Sequence, residues 1–141
     1  MTTPRGIRNN NPGNLRIANN NWQGKVLVEN NTDGEFEQFT SMDFGVRALV
    51  KTVATYIRNN SHITLRGIIE RYAPANENDT QSYVKSVASY MGMGTEQPAK
   101  DWFYQKSQLT DFVKAVIKHE NGRMIADSDV KQGIFLSNVL V

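Results

Sequence analysis

Cysteine is absent from the 141 residues, so neither a disulfide framework nor thiol chemistry is open to this chain. Histidine occurs only twice, as His62 and His119, and zinc sites built on cysteine and histidine are out of reach. No P-loop, no G-x-G-x-x-G and no G-x-S-x-G occurs. The phosphate cradles and the serine elbow that those motifs build are therefore missing, and nothing requires a cofactor or a metal. No apolar run nears the roughly 18–20 residues that cross a bilayer, so no stable membrane insertion is expected. The opening MTTPRGIRNNN lacks the apolar core of a secretory leader. The expectation is synthesis in the cytoplasm without a signal peptide, with another route to any target outside it. Net charge is only +2, which argues against nucleic acid as a partner. The charge is uneven, however: Arg5, Arg8, Arg16 and Lys25 all precede the first acid, Glu29. That basic quarter is either a solvated face or a surface for an anionic polymer.

What is present is an ordinary globular composition, 39% hydrophobic and 21% charged, sized for one domain over residues 1–141. Asparagine clusters at residues 9–11, 19–21 and 30–31, beside glycine and proline, which predicts turns and little helix over 5–21. Val26 and Val28 alternate before NNTDG, and Phe36 follows, which predicts a β-hairpin over 22–39.

Helical spacing then takes over. Thr40 or Ser41 can cap a helix carrying Val46, Leu49, Val50, Val53 and Ile57. Thr64 can cap a short one with Leu65, Ile68, Ile69 and Tyr72, ended by a turn at 74–78. Asp79 or Thr80 caps the next, with Tyr83, Val84, Val87 and Met91 inward, and MGMG breaks it near residue 92. Trp102, Phe103 and Tyr104 read as a core plug, and a last helix over about 127–136 carries Val130, Ile134 and Phe135. The expected class is α+β, mostly helical, with a small β-hairpin.

Residues 109–122, LTDFVKAVIKHENG, are the most telling stretch. Thr110 is its expected cap, Phe112, Val113, Val116 and Ile117 form one stripe, and Gly122 supplies a left-handed stop. Glu120 falls three and four residues past Ile117 and Val116, on the edge of the buried stripe. Desolvation and the negative end of a helix dipole both disfavour a charged carboxyl at such a place. A carboxyl that keeps its proton near neutral pH serves a glycosidase as general acid. The alternative is a solvated glutamate beside a helix stop.

Glu35 and Glu37 in DGEFEQF are two apart, so on a strand they would share a face turned to solvent or a cleft, with Phe36 inward. They are either a second catalytic carboxylate or the charged protection of an edge strand. Trp22, Tyr72, Tyr83, Tyr90, Trp102, Tyr104 and the asparagines could stack on and hydrogen-bond sugars, or simply fill the core.

RGIRNNNPGNLR, then W-x-G, then F-x-x-F-x-S-x-x-x-G-V-R-A-L, YAPANENDTQSYV and HENG together resemble a group of phage and prophage muralytic proteins with a lysozyme-like fold, endolysins or virion-associated lysins. The resemblance covers about residues 5–134. NPGNLR…NWQGK…FEQFTSMDFGVRALVKTVATYI is similar to the stretch that follows the catalytic glutamate in autolysin-type glucosaminidases. IIERYAPANENDTQSYVKSV is similar to a lytic transglycosylase segment, Ala-Tyr-Asn-Ala-Gly-Pro followed by Glu-Thr-x-x-Tyr-Val. Tyr72 matches its first tyrosine, and Asn78, Thr80 and Tyr83 its second part; Ala73 and Pro74 depart from it. Both patterns place the catalytic helix before the Asn-Pro-Gly-Asn segment, whereas here the fitting helix, FVKAVIKHENG, comes late. The resemblance therefore implies a circularly permuted chain, which is physically cheap because domain termini usually lie close together.

On that reading Glu120 is the catalytic acid, with Glu37 or Glu35 as rival or second carboxylate. Asn11, Asn14, Trp22, Tyr72, Asn78, Thr80 and Tyr83 would bind substrate. The implied activity is cleavage of the β-1,4 glycan backbone of peptidoglycan, of lysozyme or lytic transglycosylase type, without cofactor. The implied partner is the glycan strand, met by a monomer delivered to the periplasm by holin, virion or secretion system. The competing expectation is a non-catalytic virion structural or wall-binding module.

Overall fold

Apolar residues at three- and four-residue spacing give the helices their order in the chain, and the computed structural model describes residues 2–75 and 79–140. Six α-helices are present among them: α1 (Arg5–Arg8), α2 (Met42–Asn59), α3 (Leu65–Tyr72), α4 (Thr80–Met91), α5 (Lys106–Asn121) and α6 (Asp127–Ser137). Short 3-10 turns lie at Val28–Asn30 and Ala99–Asp101. No helix among the described residues is long and apolar enough to cross a membrane.

The stripe on α2 is buried as its spacing requires: Val46, Leu49, Val50, Val53 and Ile57 all face inward. They join Leu65, Ile68 and Ile69 of α3, Tyr83, Val84 and Val87 of α4, and Leu109, Phe112, Val113, Val116 and Ile117 of α5 in one apolar cluster. Each such side chain, fully removed from water, contributes about 1.5–3 kcal/mol before the entropy of ordering it is set against the gain. α2 packs most extensively on α6, and α4 on α5. Trp102 and Phe103 plug the centre, the Trp102 ring lying 5.3 Å from that of Phe112. Thr64 caps α3 by accepting from the Gly67 N–H at 3.1 Å, and Asp79 caps α4 by accepting from Ser82 at 3.2 Å. α4 stops before Gly92, and α5 stops at Gly122, whose φ of 72° is the left-handed turn that glycine adopts without penalty.

The structure departs from the sequence pattern in several places. α5 begins at Lys106 after Gln105, one turn before Thr110, and the Thr110 hydroxyl donates back to the Lys106 carbonyl at 2.7 Å instead of capping. Residues 5–8 form a single helical turn within the stretch expected to be irregular. Phe135 is 74% exposed and Tyr104 46%, so neither belongs to the core. The turn expected over 74–78 falls partly outside the described residues. Among the described residues the 22–39 segment builds no ladder, only the isolated bridges Arg16–Phe36 and Lys25–Phe39. Local bonds have captured this segment. Asn31 Oδ1 accepts from the Asp33 and Gly34 N–H groups, and Asp33 Oδ1 from those of Glu35 and Phe36. The period-2 pattern is thereby lost. Glu37 is fully buried and Glu35 exposed, and Phe36 is half-buried between the guanidiniums of Arg5 and Arg16, 4.4 and 4.8 Å from its ring centre. The protein is therefore mostly helical, its non-helical part being a hydrogen-bonded coil laid against α2 and α5.

Candidate functional site

Asparagine shapes the coil that carries one side of the site. Asn10 and Asn14 both sit at φ 53°, a left-handed conformation that asparagine tolerates better than other residues bearing a Cβ. The Asn9 amide donates to Asp33 at 2.9 Å and its carbonyl accepts from Gln38 at 3.0 Å. Asn11 is fully buried: its Nδ2 donates to the carbonyls of Leu15 and Glu37, and its Oδ1 accepts from the Leu15 N–H. These bonds close the 9–15 turn and bring Asn14 to the end of α5. At the far end of the chain, Asn121 Nδ2 donates to the Pro12 carbonyl at 2.8 Å, which ties the last turn of α5 to the same coil.

Glu120 thus meets residues distant in sequence. Its Oε1 accepts from Asn14 Nδ2 at 2.9 Å and its Oε2 from the Tyr83 hydroxyl at 2.7 Å. Both donors are neutral, and no ion pair to Glu120 occurs among the described residues. Burial pushes the Tyr83 phenol well above its ordinary range, and the negative charge of Glu120 adds to the effect. The same two causes, in the same order, act on Tyr72. Both phenols therefore stay protonated and able to donate across the physiological range. Tyr83 also stacks on the His119 ring, centres 3.8 Å apart. The Tyr72 hydroxyl donates to the carbonyl of Gly13, an approach that a side chain at position 13 would block.

Glu120 lies in the wall of a cleft of about 320 Å³, together with Asn14, Tyr56, Arg71, Tyr72 and Pro74. A second hollow of about 260 Å³ shares Leu15, Arg16 and Tyr56 with the first and runs on to Trp22, Thr52 and Thr55. The two make one groove from Glu120 to Trp22. Arg71 lies over the Tyr56 ring at 4.9 Å. Burial raises the Tyr56 phenol, and the charge of Arg71 acts against that rise.

Of the residues singled out from sequence, Glu120, Asn14, Tyr72 and Tyr83 come together, and Trp22 sits at the other end of the groove. Others stand elsewhere. Asn11 is a buried strut of the coil. Thr80 is buried and donates to the Ala73 carbonyl at 2.6 Å, fastening α4 to the end of α3. Glu37 is enclosed, 3.0 Å from Lys25 Nζ and accepting from the Ala18 N–H at 3.2 Å. Glu35 is exposed, 3.8 Å from Arg5 and 3.6 Å from Arg16. Neither acid lines the groove, because the coil turns one inward onto lysine and the other out onto arginines. Asn78 lies outside the described residues. Sequence reasoning missed Tyr56 and Arg71, which come from two different helices and carry no local motif; Arg16 stood out only for its charge.

Fold and site together define a mostly helical protein with a carboxylate-centred, aromatic-lined groove. No family model matches the chain. Over 121 residues it is 35% identical to Protein P5 of Pseudoalteromonas phage PM2, the match covering 84% of this chain and 71% of that protein. The chain belongs to the family of that phage protein.

Proposed function

We propose that the groove binds the glycan strands of peptidoglycan, on a lysozyme-like, circularly permuted fold, and that Glu120 is the general acid of a glycosidase. The observation that carries this reading is one half-buried carboxyl held by Asn14 and Tyr83 at the end of a groove lined by Tyr56, Tyr72 and Trp22. Aromatic faces suit the apolar faces of sugar rings, and amides suit their hydroxyls. In the reaction Glu120 gives its proton to the glycosidic oxygen as the bond to the anomeric carbon breaks. Tyr83 and Asn14 then donate to the carboxylate that is left. A hydroxyl rotates freely, so Tyr83 can also accept from Glu120 while the acid carries its proton.

Among the described residues no second carboxylate lines the groove. This favours attack on the anomeric carbon by the sugar's own 6-hydroxyl, whose proton returns to Glu120, leaving a 1,6-anhydro product. The same observation supports the rival reading, a virion structural or wall-binding module that keeps the groove without turnover. The site of action would be the cell wall, reached by a monomer through holin, virion or secretion machinery.

The test is mass analysis of material released from purified Gram-negative sacculi. Fragments lighter by one water than the hydrolysis product support the intramolecular route, and reducing ends support a water nucleophile. Binding to sacculi with no released sugar favours the structural module.

A further inference from the structure

We infer that the Asn14 side-chain amide is a swivel that turns over with the proton on Glu120, and that Asn121 is the positioning residue that anchors its turned form. Asn14 Oδ1 and Asn121 Oδ1 are both buried and accept no hydrogen bond among the described residues. Buried polar atoms nearly always find a partner, so two orphans side by side call for a cause. Both crowd the same flank of Gly6, where a Cβ would stand 2.5 Å from Asn121 Oδ1 and 2.8 Å from Asn14 Oδ1. Two bare oxygens facing one space repel each other, and a single methyl group there would already collide. Asn121 cannot relieve this by turning, because its Nδ2 donates to the Pro12 and Ile117 carbonyls at 2.8 and 2.9 Å. Asn14 can. Its Nδ2 donates only to Glu120 Oε1 among the described residues, at 2.9 Å, and the last torsion of an asparagine has two near-equivalent settings.

While Glu120 is a carboxylate it needs donors, and the charge-assisted bond from Asn14 outweighs the orphaned pair. Once Glu120 carries a proton the demand reverses, because one of its oxygens becomes a donor. A half-turn of the amide then points Asn14 Oδ1 at that proton and Asn14 Nδ2 at Asn121 Oδ1, so both orphans are paired. The turn also decides which oxygen holds the proton. Tyr83 is buried and goes on donating to Oε2, so the proton sits on Oε1 beside Asn14, which lines the cleft as Tyr83 does not. That is the side from which a glycosidic oxygen would come. The inference rests on the reading of Glu120 as a general acid for its consequence, while the swivel itself needs no turnover.

The test is the nuclear Overhauser contact between Gly6 Hα and the Asn14 side-chain amide protons, measured on the intact, isotopically labelled protein. The contact is expected to be weak while Glu120 is ionised and to strengthen several-fold once it is protonated. The charged and titratable groups facing Glu120 are Tyr83 of α4, Tyr72 and Arg71 of α3 and Arg16 of the coil, with His119 stacked behind Tyr83. Of these, only the imidazole also changes charge as acid is added. Glu120→Gln therefore gives the decisive arm: its amide offers a donor and an acceptor together, as the protonated acid does, and the contact should be strong at every pH. Adding Asn121→Ala to Glu120→Gln should weaken the contact again, with circular dichroism showing the fold kept. In the active protein, Asn121→Ala alone should slow sugar release from sacculi about tenfold with sacculus binding unchanged, the effect of losing one hydrogen bond. A contact that is the same in ionised wild type and in Glu120→Gln overturns the swivel and leaves the general-acid reading standing. A contact unmoved by Asn121→Ala overturns the anchoring role of Asn121. Contacts that change as expected, with no sugar released by wild type, support the swivel and overturn the general-acid reading.

Discussion

The Asn-rich coil over residues 5–39 and the helical body over 42–137 hold the same site by opposite physics. The helices place Tyr83 and Glu120 by burying apolar stripes, so the position of each follows from spacing on a cylinder. The coil buries few apolar side chains, Phe39 and Pro12 foremost, and places Asn14 through amide bonds, left-handed asparagines and one buried ion pair. Packing is non-directional and forgiving of small changes in shape. Hydrogen bonding is directional, and each buried bond lost leaves an orphaned partner. The two regions should therefore fail differently when cut.

The largest effect is expected in the body. Phe112→Ala, at a position 1% exposed, should cost roughly 3–5 kcal/mol, read as a lowered urea midpoint with the slope unchanged. Glu37→Gln comes next, at about 3 kcal/mol, because Lys25 is left charged and enclosed. This change also separates roles. If Glu37 only braces the coil, the protein that remains folded should keep its activity; loss of activity with the fold intact would make Glu37 catalytic after all. Asn11→Ala follows, at roughly 2 kcal/mol, since the Glu37 carbonyl and the Leu15 N–H lose the Asn11 amide, while the Leu15 carbonyl keeps the Glu37 N–H. Hydrogen exchange should show its damage confined to the coil, with the core amides of α2 and α4 unmoved.

The smallest effect has its signature in acid. The Arg5 guanidinium holds the Asp33 carboxyl far below the usual carboxylate range, with help from the Asn9 amide and the Phe36 and Glu35 N–H groups. A folded-state pKa below the unfolded one adds stability that is fully present above about pH 4 and is lost progressively as pH falls further. Asp33→Asn should therefore be less stable than wild type at neutral pH and show a shallower decline between about pH 4 and pH 2 in thermal melts. Parallel declines in the two proteins would show that the Arg5–Asp33 pair does not set acid stability.

The same contrast explains what could be read from the sequence. α2, α3 and α4 follow from periodicity, and α3 and α4 from their caps as well, because a buried stripe and an N-cap are local signals; at α2 Ser41 holds the N-cap position without a cap bond, its hydroxyl donating to the Asp43 carboxylate instead. Glu120 is legible as a carboxyl on the edge of such a stripe. The coil resisted reading, since the alternation of Glu35, Phe36 and Glu37 predicts a strand only if nothing local competes, and Asn31 and Asp33 do compete. The start of α5 was misplaced because Thr110 is a strong cap in isolation, while the turn after buried Trp102 and Phe103 starts the helix earlier. Arg71 beside Tyr56 was invisible because their meeting depends on how α3 lies against α2, a tertiary fact with no residue spacing to announce it.

The most direct test of the account is release of soluble muropeptides from purified sacculi by wild-type protein and by Glu120→Gln, with circular dichroism to show that both are folded. The account predicts a loss of about 10²–10⁴-fold in the rate of release, the usual contribution of a positioned general acid, with sacculus binding retained. Full activity in folded Glu120→Gln would contradict it, leaving Glu120 as a hydrogen-bonded brace between α5 and the coil.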